Sequence, residues 1–186
     1  MDNNDDFLTL AQHKRYSCRN YDERPVAEDD LQAVLQAGRV APTAANRQPQ
    51  RILVLNTPDN MRKLATCTHY AFNAPAALIV CYNRLRIYVR RYDGKEFGDV
   101  DATIVTTHMM LEAAERGMGT CWVGSFNPFK LREAFCIPDE FEPSSILILG
   151  YPDEEDRPHA LHSQRFDLSA TVFDNDFETP WGEIPS

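Results

Sequence analysis

The sequence predicts a mixed α/β layer protein, a central small sheet flanked by helices and folded as a single domain. Three observations carry this reading. At 186 residues the chain is sized for one core, and long enough to bury it without disulfide or metal staples. Strand-sized aliphatic runs alternate with helix-length segments, the strands few and the helices long, as expected of layers sharing one core. One helix-length segment, Asp99 to Arg116, is apolar around most of its circumference, which fits a helix covered on most sides.

The elements follow in order. The opening Met1-Asp2-Asn3-Asn4-Asp5-Asp6 is acidic, and residues 1–6 are expected to be flexible. Helical periodicity appears around Phe7 to Lys14 and again from Glu28 to Val40, where Leu31, Val34 and Leu35 share a face. Gln50 to Leu55 reads as a strand ended by the turn Asn56-Thr57-Pro58, and Asp59 is placed to cap a short helix through Ala65. Ala76 to Cys81 reads as a buried strand. In Asp99 to Arg116, Ala102, Ile104, Val105, Met109, Met110, Leu111, Ala113 and Ala114 surround the axis, so the helix is either central or covered by a partner subunit. Gly117 and Gly119 stop it. Thr120 to Val123 starts a strand, and Asn127-Pro128 opens a short helix with proline in its first turn, continued by Leu131 to Phe135. Ser145 to Leu149 is a further buried strand, closed by Gly150-Tyr151-Pro152. Past Pro158 the chain turns polar, then ends in Val172-Phe173 and an aromatic, proline-rich stretch through Trp181. The tail 173–186 is expected to lie across another surface, that of a partner subunit.

Composition narrows the function. With 43% hydrophobic and 25% charged residues the chain is globular in type. A formal net charge of -9 speaks against nucleic-acid or anionic-membrane partners, which need a basic footprint. It also requires any anionic ligand to meet a local cluster of Arg or Lys. The longest apolar stretches, such as Ala74 to Tyr82, are strand-sized and far short of a membrane span, and the N-terminus lacks the apolar run of a secretory signal. Five cysteines, with no C-x-x-C pair, suit free thiols in a reducing cytoplasm. His159 and His162 form an H-x-x-H without a convincingly spaced acidic or Cys partner, so no metal site is expected there.

The common nucleotide and nucleophile motifs are missing. Gly117-Met118-Gly119 lacks the third glycine of a dinucleotide fingerprint and precedes a strand; no phosphate-binding G-x-x-x-x-G-K-S/T occurs. No G-x-S-x-G elbow appears either. A protein without an evident acid, base or nucleophile pair can borrow reactivity from a cofactor.

Three separated segments then make sense together. In Arg15-Tyr16-Ser17-Cys18-Arg19 an extended backbone sends Arg15, Ser17 and Arg19 the same way. This triplet fits a phosphate plus an electron-rich ring edge, because each guanidinium offers a fixed fork of donors; a solvated basic turn is the alternative. Ala41-Pro42-Thr43-Ala44-Ala45-Asn46-Arg47-Gln48-Pro49 is small and polar. Its backbone can approach a flat ligand while Asn46 and Gln48 match heterocycle edges, or it is an ordinary helix-to-strand loop. In Gly117-Met118-Gly119-Thr120-Cys121-Trp122-Val123-Gly124-Ser125-Phe126, Gly124 at a strand end permits close backbone contact with a ring, or is a tight-packing glycine.

In this order and spacing, the three segments resemble the nitroreductase family of FMN enzymes. The likeness continues through Gly98-Asp99-Val100-Asp101 and the long helix, through Lys130-Leu131-Arg132-Glu133-Ala134-Phe135 and Pro138, and into Leu149-Gly150-Tyr151-Pro152. The resemblance implies an α+β fold, a nitroreductase-like α/β sandwich, assembled as an intertwined homodimer with FMN sites at the interface. It further implies hydride transfer from NADH or NADPH to small electron-poor acceptors (nitroaromatics, quinones, flavins) by a ping-pong mechanism.

Carried over position by position, Arg15 and Ser17, with the intervening Tyr16, resemble the phosphate and ribityl contacts. Arg19 resembles the cation facing the flavin N1 and C2 carbonyl, which supports developing charge electrostatically while no side chain acts as nucleophile. Pro42, Thr43, Ala44 and Asn46, followed by Gln48, look like the loop supplied by the second subunit. Val123 and Gly124 resemble the pair whose backbone amide meets N5. Arg165 is similar to the C-terminal phosphate cation. The chain departs from many relatives at Gln164, where Lys or Arg is common, at Ala44 in place of Ser, and at Gln50 in place of Trp.

Arg84, Arg86, Arg90, Arg91 and Lys95, interleaved with Tyr88 and Tyr92, form a basic segment in an acidic chain. It fits a lid that attracts an anionic dinucleotide or acceptor, or a solvated basic helix balancing Asp99, Asp101 and other nearby acids. Other readings of the whole are a family relative specialised for reductive dehalogenation or flavin fragmentation, a non-catalytic FMN-binding module, and a purely structural dimer. Bleaching of the bound flavin by a reduced nicotinamide, or failure to take up FMN, separates them.

Overall fold

The computed structural model describes residues 7–182; the stretch 1–6 expected to be flexible, and the end of the tail at 183–186, lie outside the described residues. Strands β1 (Gln50–Leu55), β2 (Ala76–Asn83), β3 (Gly119–Val123) and β4 (Phe141–Gly150) form one sheet in the order β1-β2-β4-β3. Every neighbouring pair is antiparallel. Helix α1 (Phe7–Thr9) runs on as a π turn through Leu10–Lys14. It is followed by α2 (Glu28–Val40), α3 (Pro58–Leu64), α4 (Gly98–Glu115) and α5 (Pro128–Phe135).

The central strands β2 and β4 are covered on both faces, which explains why Ala76–Tyr82 and Ile146–Leu149 read as unbroken apolar runs. Alternation divides them between two cores. Leu78, Val80, Leu147 and Leu149 point to Val34 of α2 and to Val105 and Met109 of α4. Ala77, Ile79, Ile146 and Ile148 point to Leu64 of α3 and Leu131 of α5. The result is the expected sandwich of helices, small sheet and helices. Truncating any of the fully buried Leu or Ile side chains to Ala costs about 2–5 kcal/mol.

The ends of the elements obey local chemistry, with three differences from expectation. The cap of α3 is Thr57, which accepts from Asn60 N, not Asp59. Pro58 occupies the first helical position, where its fixed φ is pre-set and its missing N–H costs nothing, so the helix starts earlier. Strand β4 begins at Phe141, not Ser145, because the register slips between Val80 and Cys81 and Pro143 sits at the irregularity, a place a strand tolerates proline. The basic segment forms no helix. Asp93-Gly94 turns the chain, with Gly94 at φ +71°, and a Val89–Glu96 bridge closes it. Of the nearby acids, Glu142 pairs with Arg84 and Asp93 with Arg90. Helix α4 ends as expected at Gly117, whose φ of +72° lets Gly117 N and Met118 N reach the carbonyls of Ala114 and Ala113.

Helix α4 is central on one side only. Ala102, Val105, Met109 and Ala113 are buried against the sheet and α2; the crossing is so close that a Cβ on Gly38 of α2 would stand 2.8 Å from Met109 Cγ. On the other side Leu111 lines an open groove of about 950 Å3 with Phe7, Leu10 and Val40. Residues 153–182 form short turns of 3-10 helix and bends, and they leave Phe166, Phe177 and Trp181 exposed. Among the described residues no helix is long and apolar enough to cross a membrane, and the five cysteines are free thiols.

Candidate functional site

The Arg15–Arg19 segment lies alongside edge strand β3. Cys18 N donates to Thr120 O at 2.9 Å, and Ser17 bridges Thr120 in parallel. Cys18 is fully buried beneath it. The approach depends on glycine: a Cβ on Gly119 would stand 2.6 Å from Cys18 Sγ. With Cys18 turned inward, alternation turns Arg15, Ser17 and Arg19 outward. There they line a cleft of about 210 Å3 with His159, Leu161, His162 and Arg165.

The electrostatics of this cleft favour an anion. Burial, and then the charge of Arg165, lower the pKa of Arg15 from its ordinary value. Arg15 Nη2 lies 3.3 Å from His162 Nδ1, and His162 Nε2 lies 2.9 Å from Gln12 O. A guanidinium can only donate and a carbonyl can only accept, so the ring carries its proton on Nε2. Arg19 Nη1 donates to Ser17 O at 3.1 Å, and Arg165 Nη1 to Gln164 O at 2.6 Å. Among the described residues no carboxylate lines the cleft.

Arg19 also belongs to a second cleft, of about 200 Å3, shared with Tyr70, Phe72, Cys121, Trp122, Val123, Gly124 and Ser125. The two clefts therefore form one strip, cationic at one end and flat-walled at the other. At Gly124 the backbone is open: a Cβ there would meet only the Trp122 ring, at 3.0 Å. Burial pushes the thiols of Cys18, to about 12, and of Cys121 upward. Neither is a thiolate nucleophile, so the strip is built to hold a ligand rather than to attack one.

Not every expected residue meets here. Tyr16, expected among the cofactor contacts, is turned the other way. Its ring packs against the α3–α5 core and edge-on to His162 at 6.5 Å between centroids, and burial with Asp156 beside its hydroxyl raises its pKa. The Pro42–Gln48 loop lines neither cleft of its own chain. Ala44 N donates to Oδ1 of the buried Asp101 at 2.7 Å, Gln48 N to Thr43 Oγ1 at 3.1 Å, and Gln48 Nε2 to Asn46 Oδ1 at 3.1 Å. Ala45, Asn46 and Gln48 take φ of 51°, 52° and 47°, left-handed values that store on the order of 1–3 kcal/mol each for non-glycine residues. A loop held in that shape by a buried carboxylate is a preformed surface.

His159, His162, Tyr70, Phe72 and Ser125 were not foreseen. The H-x-x-H spacing had only a metal reading to recommend it; among the described residues no His, Cys, Asp and Glu cluster is suited to a metal ion, and the pair instead walls the arginine cleft. The Tyr70 stretch meets strand β3 through a contact between residues far apart in sequence, Thr68 Oγ1 to Ser125 O at 2.7 Å.

Comparison with known proteins agrees with this geometry. The model of the nitroreductase family matches residues 13–80 and 67–151. A protein of Archaeoglobus fulgidus, provisionally named NADH dehydrogenase/NAD(P)H nitroreductase, is 30% identical over 151 residues, 77% of this chain and 84% of its own. The FMN reductase (NAD(P)H) of Bacillus subtilis is 27% identical over 167 residues, covering 80% of this chain and 66% of that protein. The crystal structure of a nitroreductase family protein from Clostridium difficile 630 superposes with a TM-score of 0.84 at 42% identity, over 94% of this chain and 99% of that one.

Proposed function

The chain belongs to the nitroreductase family, and we propose that it is an FMN-dependent oxidoreductase that takes a hydride from NADH or NADPH and passes it to a small electron-poor acceptor. The observation that carries this is the shared residue: Arg19 joins a cleft of two further guanidiniums and a hydroxyl to a flat-walled cleft ending at Gly124. A phosphomonoester on a chain attached to a planar heterocycle has that layout, and the donor set fits it. The relatives' names, which include an FMN reductase, favour the same cofactor.

When bound, FMN supplies a ring that accepts a hydride at N5 and gives it up again, so the chain needs no nucleophile of its own. Arg15 and Arg165 hold the phosphate with charge-assisted bonds, and the Ser17 hydroxyl adds another. Arg19 faces the ring edge where negative charge develops on reduction and stabilises it without reorganising. Val123 and Gly124 bring backbone to the N5 edge, as no side chain intervenes at Gly124. The Pro42–Gln48 loop lines neither cleft of its own chain, and in a homodimer the loop of a second copy would complete the flavin site, with Pro42, Thr43, Ala44, Asn46 and Gln48 at the contact. The open groove beside α4 and the exposed tail aromatics are the surfaces such a homodimer buries. Nicotinamide and acceptor occupy the same seat in turn, which gives ping-pong kinetics. Free thiols and an acidic composition support a cytoplasmic protein without nucleic-acid or membrane partners.

The test is the purified protein itself. It releases FMN on denaturation, bleaches with NADH or NADPH in stopped flow, recolours with a quinone or nitroaromatic, and sediments as a dimer. FAD, or no flavin after reconstitution, refutes the cofactor; bound FMN that reduced nicotinamides leave yellow refutes the activity; a flavin-loaded monomer at micromolar concentration refutes the shared site.

A further inference from the structure

Next to the ring end of the strip lies a third cleft, of about 530 Å3, between the Ala65–Tyr70 stretch and the Ser125–Lys130 stretch. It shares Tyr70 and Ser125 with the ring cleft, so a ligand seated in it lies beside the Gly124 edge. Its walls are tied together rather than loosely apposed. Thr68 Oγ1 donates to Ser125 O at 2.7 Å, Asn127 N donates to Cys67 O at 2.8 Å, and the Asn127 side chain caps α5 by accepting from Phe129 N and Lys130 N. The same asparagine therefore joins the walls and fixes the turn that carries Lys130.

The lining combines two chemistries. Tyr70, Phe126 and Phe129 offer flat apolar surface, Phe129 with 80% of its surface exposed, which suits stacking of a planar ring. His69 and Lys130 offer donors, whereas the Thr66 hydroxyl is spent on Lys63 O at 2.8 Å. Among the described residues no acid lines the cleft. This is unusual ground in a chain whose formal net charge is -9, because that field repels small anions unless a local cation meets them.

Building on the proposed activity, we infer that this cleft seats the electron acceptor and selects planar aromatic or quinoid acceptors that carry a carboxylate or sulfonate. The ring lies between Tyr70 and Phe129 with its reducible group toward Gly124. The anionic substituent meets the Lys130 ammonium, with the His69 ring N–H as a further donor. Lys130 is thus a specificity-determining residue: it touches the substituent, not the reacting atoms.

The experiment uses the FMN-loaded full chain and two readouts. Binding of non-reducible benzoate and benzamide is followed through the perturbed flavin absorption. Reoxidation of pre-reduced protein by 4-nitrobenzoate and 4-nitrobenzamide is followed by stopped flow. The carboxylate/carboxamide ratio, compared between variants, cancels the intrinsic difference in reactivity of each pair. The wild type favours the carboxylate in binding, and Lys130→Gln lowers the preference on the order of 5-fold, the scale of a solvent-exposed ion pair. Lys130→Glu reverses the charge and lowers it further, and added salt erodes the wild-type preference. A ratio unmoved by either substitution overturns the inference, as does a wild type that binds benzamide as well as benzoate. Failure of the proposed activity is distinguishable, since it appears earlier, as a protein that binds no FMN or is not reduced by NADH or NADPH.

Discussion

Replacing Gly119 with alanine tests how the arginine cleft is assembled. The added Cβ would stand 2.6 Å from Cys18 Sγ and 2.8 Å from Cys18 Cβ, against an optimum near 3.5–4.0 Å for nonbonded carbon. The shortfall is roughly 1 Å, and Cys18 is fully buried, so its side chain has no free space to take. The strand-like segment must therefore lift away from β3, stretching the 2.9 Å bond from Cys18 N to Thr120 O and carrying Arg15, Ser17 and Arg19 with it. Overpacking of this kind costs about 1–3 kcal/mol of stability. Misplacing the phosphate donors costs more specifically: a hydrogen bond to a charged group is worth about 1.5–3 kcal/mol, so FMN affinity falls on the order of 10- to 100-fold. The assay is FMN titration by fluorescence quenching, with thermal melts of the apoprotein alongside. The double variant Gly119→Ala with Cys18→Gly removes both clashing atoms and restores much of the affinity. Gly119→Ala with wild-type FMN affinity would refute the reasoning, as would a loss that Cys18→Gly does not relieve.

Three further outcomes are expected. Arg19→Ala keeps FMN bound but loses electrostatic support of the reduced ring; a loss on the order of 1 kcal/mol lowers the two-electron potential by about 20 mV, read by dye equilibration. Tyr151→Phe removes the 2.6 Å bond to Asp30 Oδ2, the largest cause holding the Asp30 carboxyl below its ordinary 3.8. Because that pKa is depressed in the folded state, the bond's contribution of about 1–2 kcal/mol is present above pH 4 or so and is lost as pH falls through the folded value, so the difference in Tm between variant and wild type narrows in acid. Removing the chain after Val172 deletes Phe173, Phe177 and Trp181, and sedimentation with flavin analysis finds dimer and FMN occupancy falling together.

Helix α2 was legible to the residue, because Ala27-Glu28-Asp29-Asp30 puts acids in its first turn and its apolar face repeats at helical spacing. Strand β4 was read short because only Ser145 to Leu149 forms an apolar run, and only the pairing partner reveals that the sheet extends past Pro143 at an irregularity. The basic segment was open to a helical reading from charge spacing alone, whereas Asp93-Gly94 decides for a turn. At the site, the period of two correctly grouped Arg15, Ser17 and Arg19, and the same period sends Tyr16 inward, a consequence the residue-by-residue likeness had overridden. Tyr70 and Phe72 were invisible for a different reason. They become neighbours of the Gly124 edge only through the Thr68–Ser125 and Cys67–Asn127 contacts, and a single sequence carries no signal of contacts between loops that far apart.

The arginines themselves separate into two kinds by the direction in which the protein moves them. Arg116 is held by Glu112 and Asp30, and Arg90 by Asp93, and in both the bonded acid raises the pKa. These are surface pairs that tie one turn to another, as Arg116 ties α4 to α2 through Asp30. Arg15 runs the opposite way: burial and a second cation, Arg165, lower it, and its side-chain partner is a neutral ring nitrogen rather than an acid. A fold gains nothing in stability from pressing two guanidiniums into one cleft without a carboxylate, since each disfavours the other's charge. The arrangement is favourable only in company with an anion that belongs to neither side chain. In an acidic protein that anion must be drawn in against the overall field, and Arg15, Arg19 and Arg165, gathered in one cleft, supply the local positive charge to do so. Neutralising Arg15 is then predicted to relieve the apoprotein while weakening the FMN complex, a pair of opposite effects that a purely structural arginine does not produce.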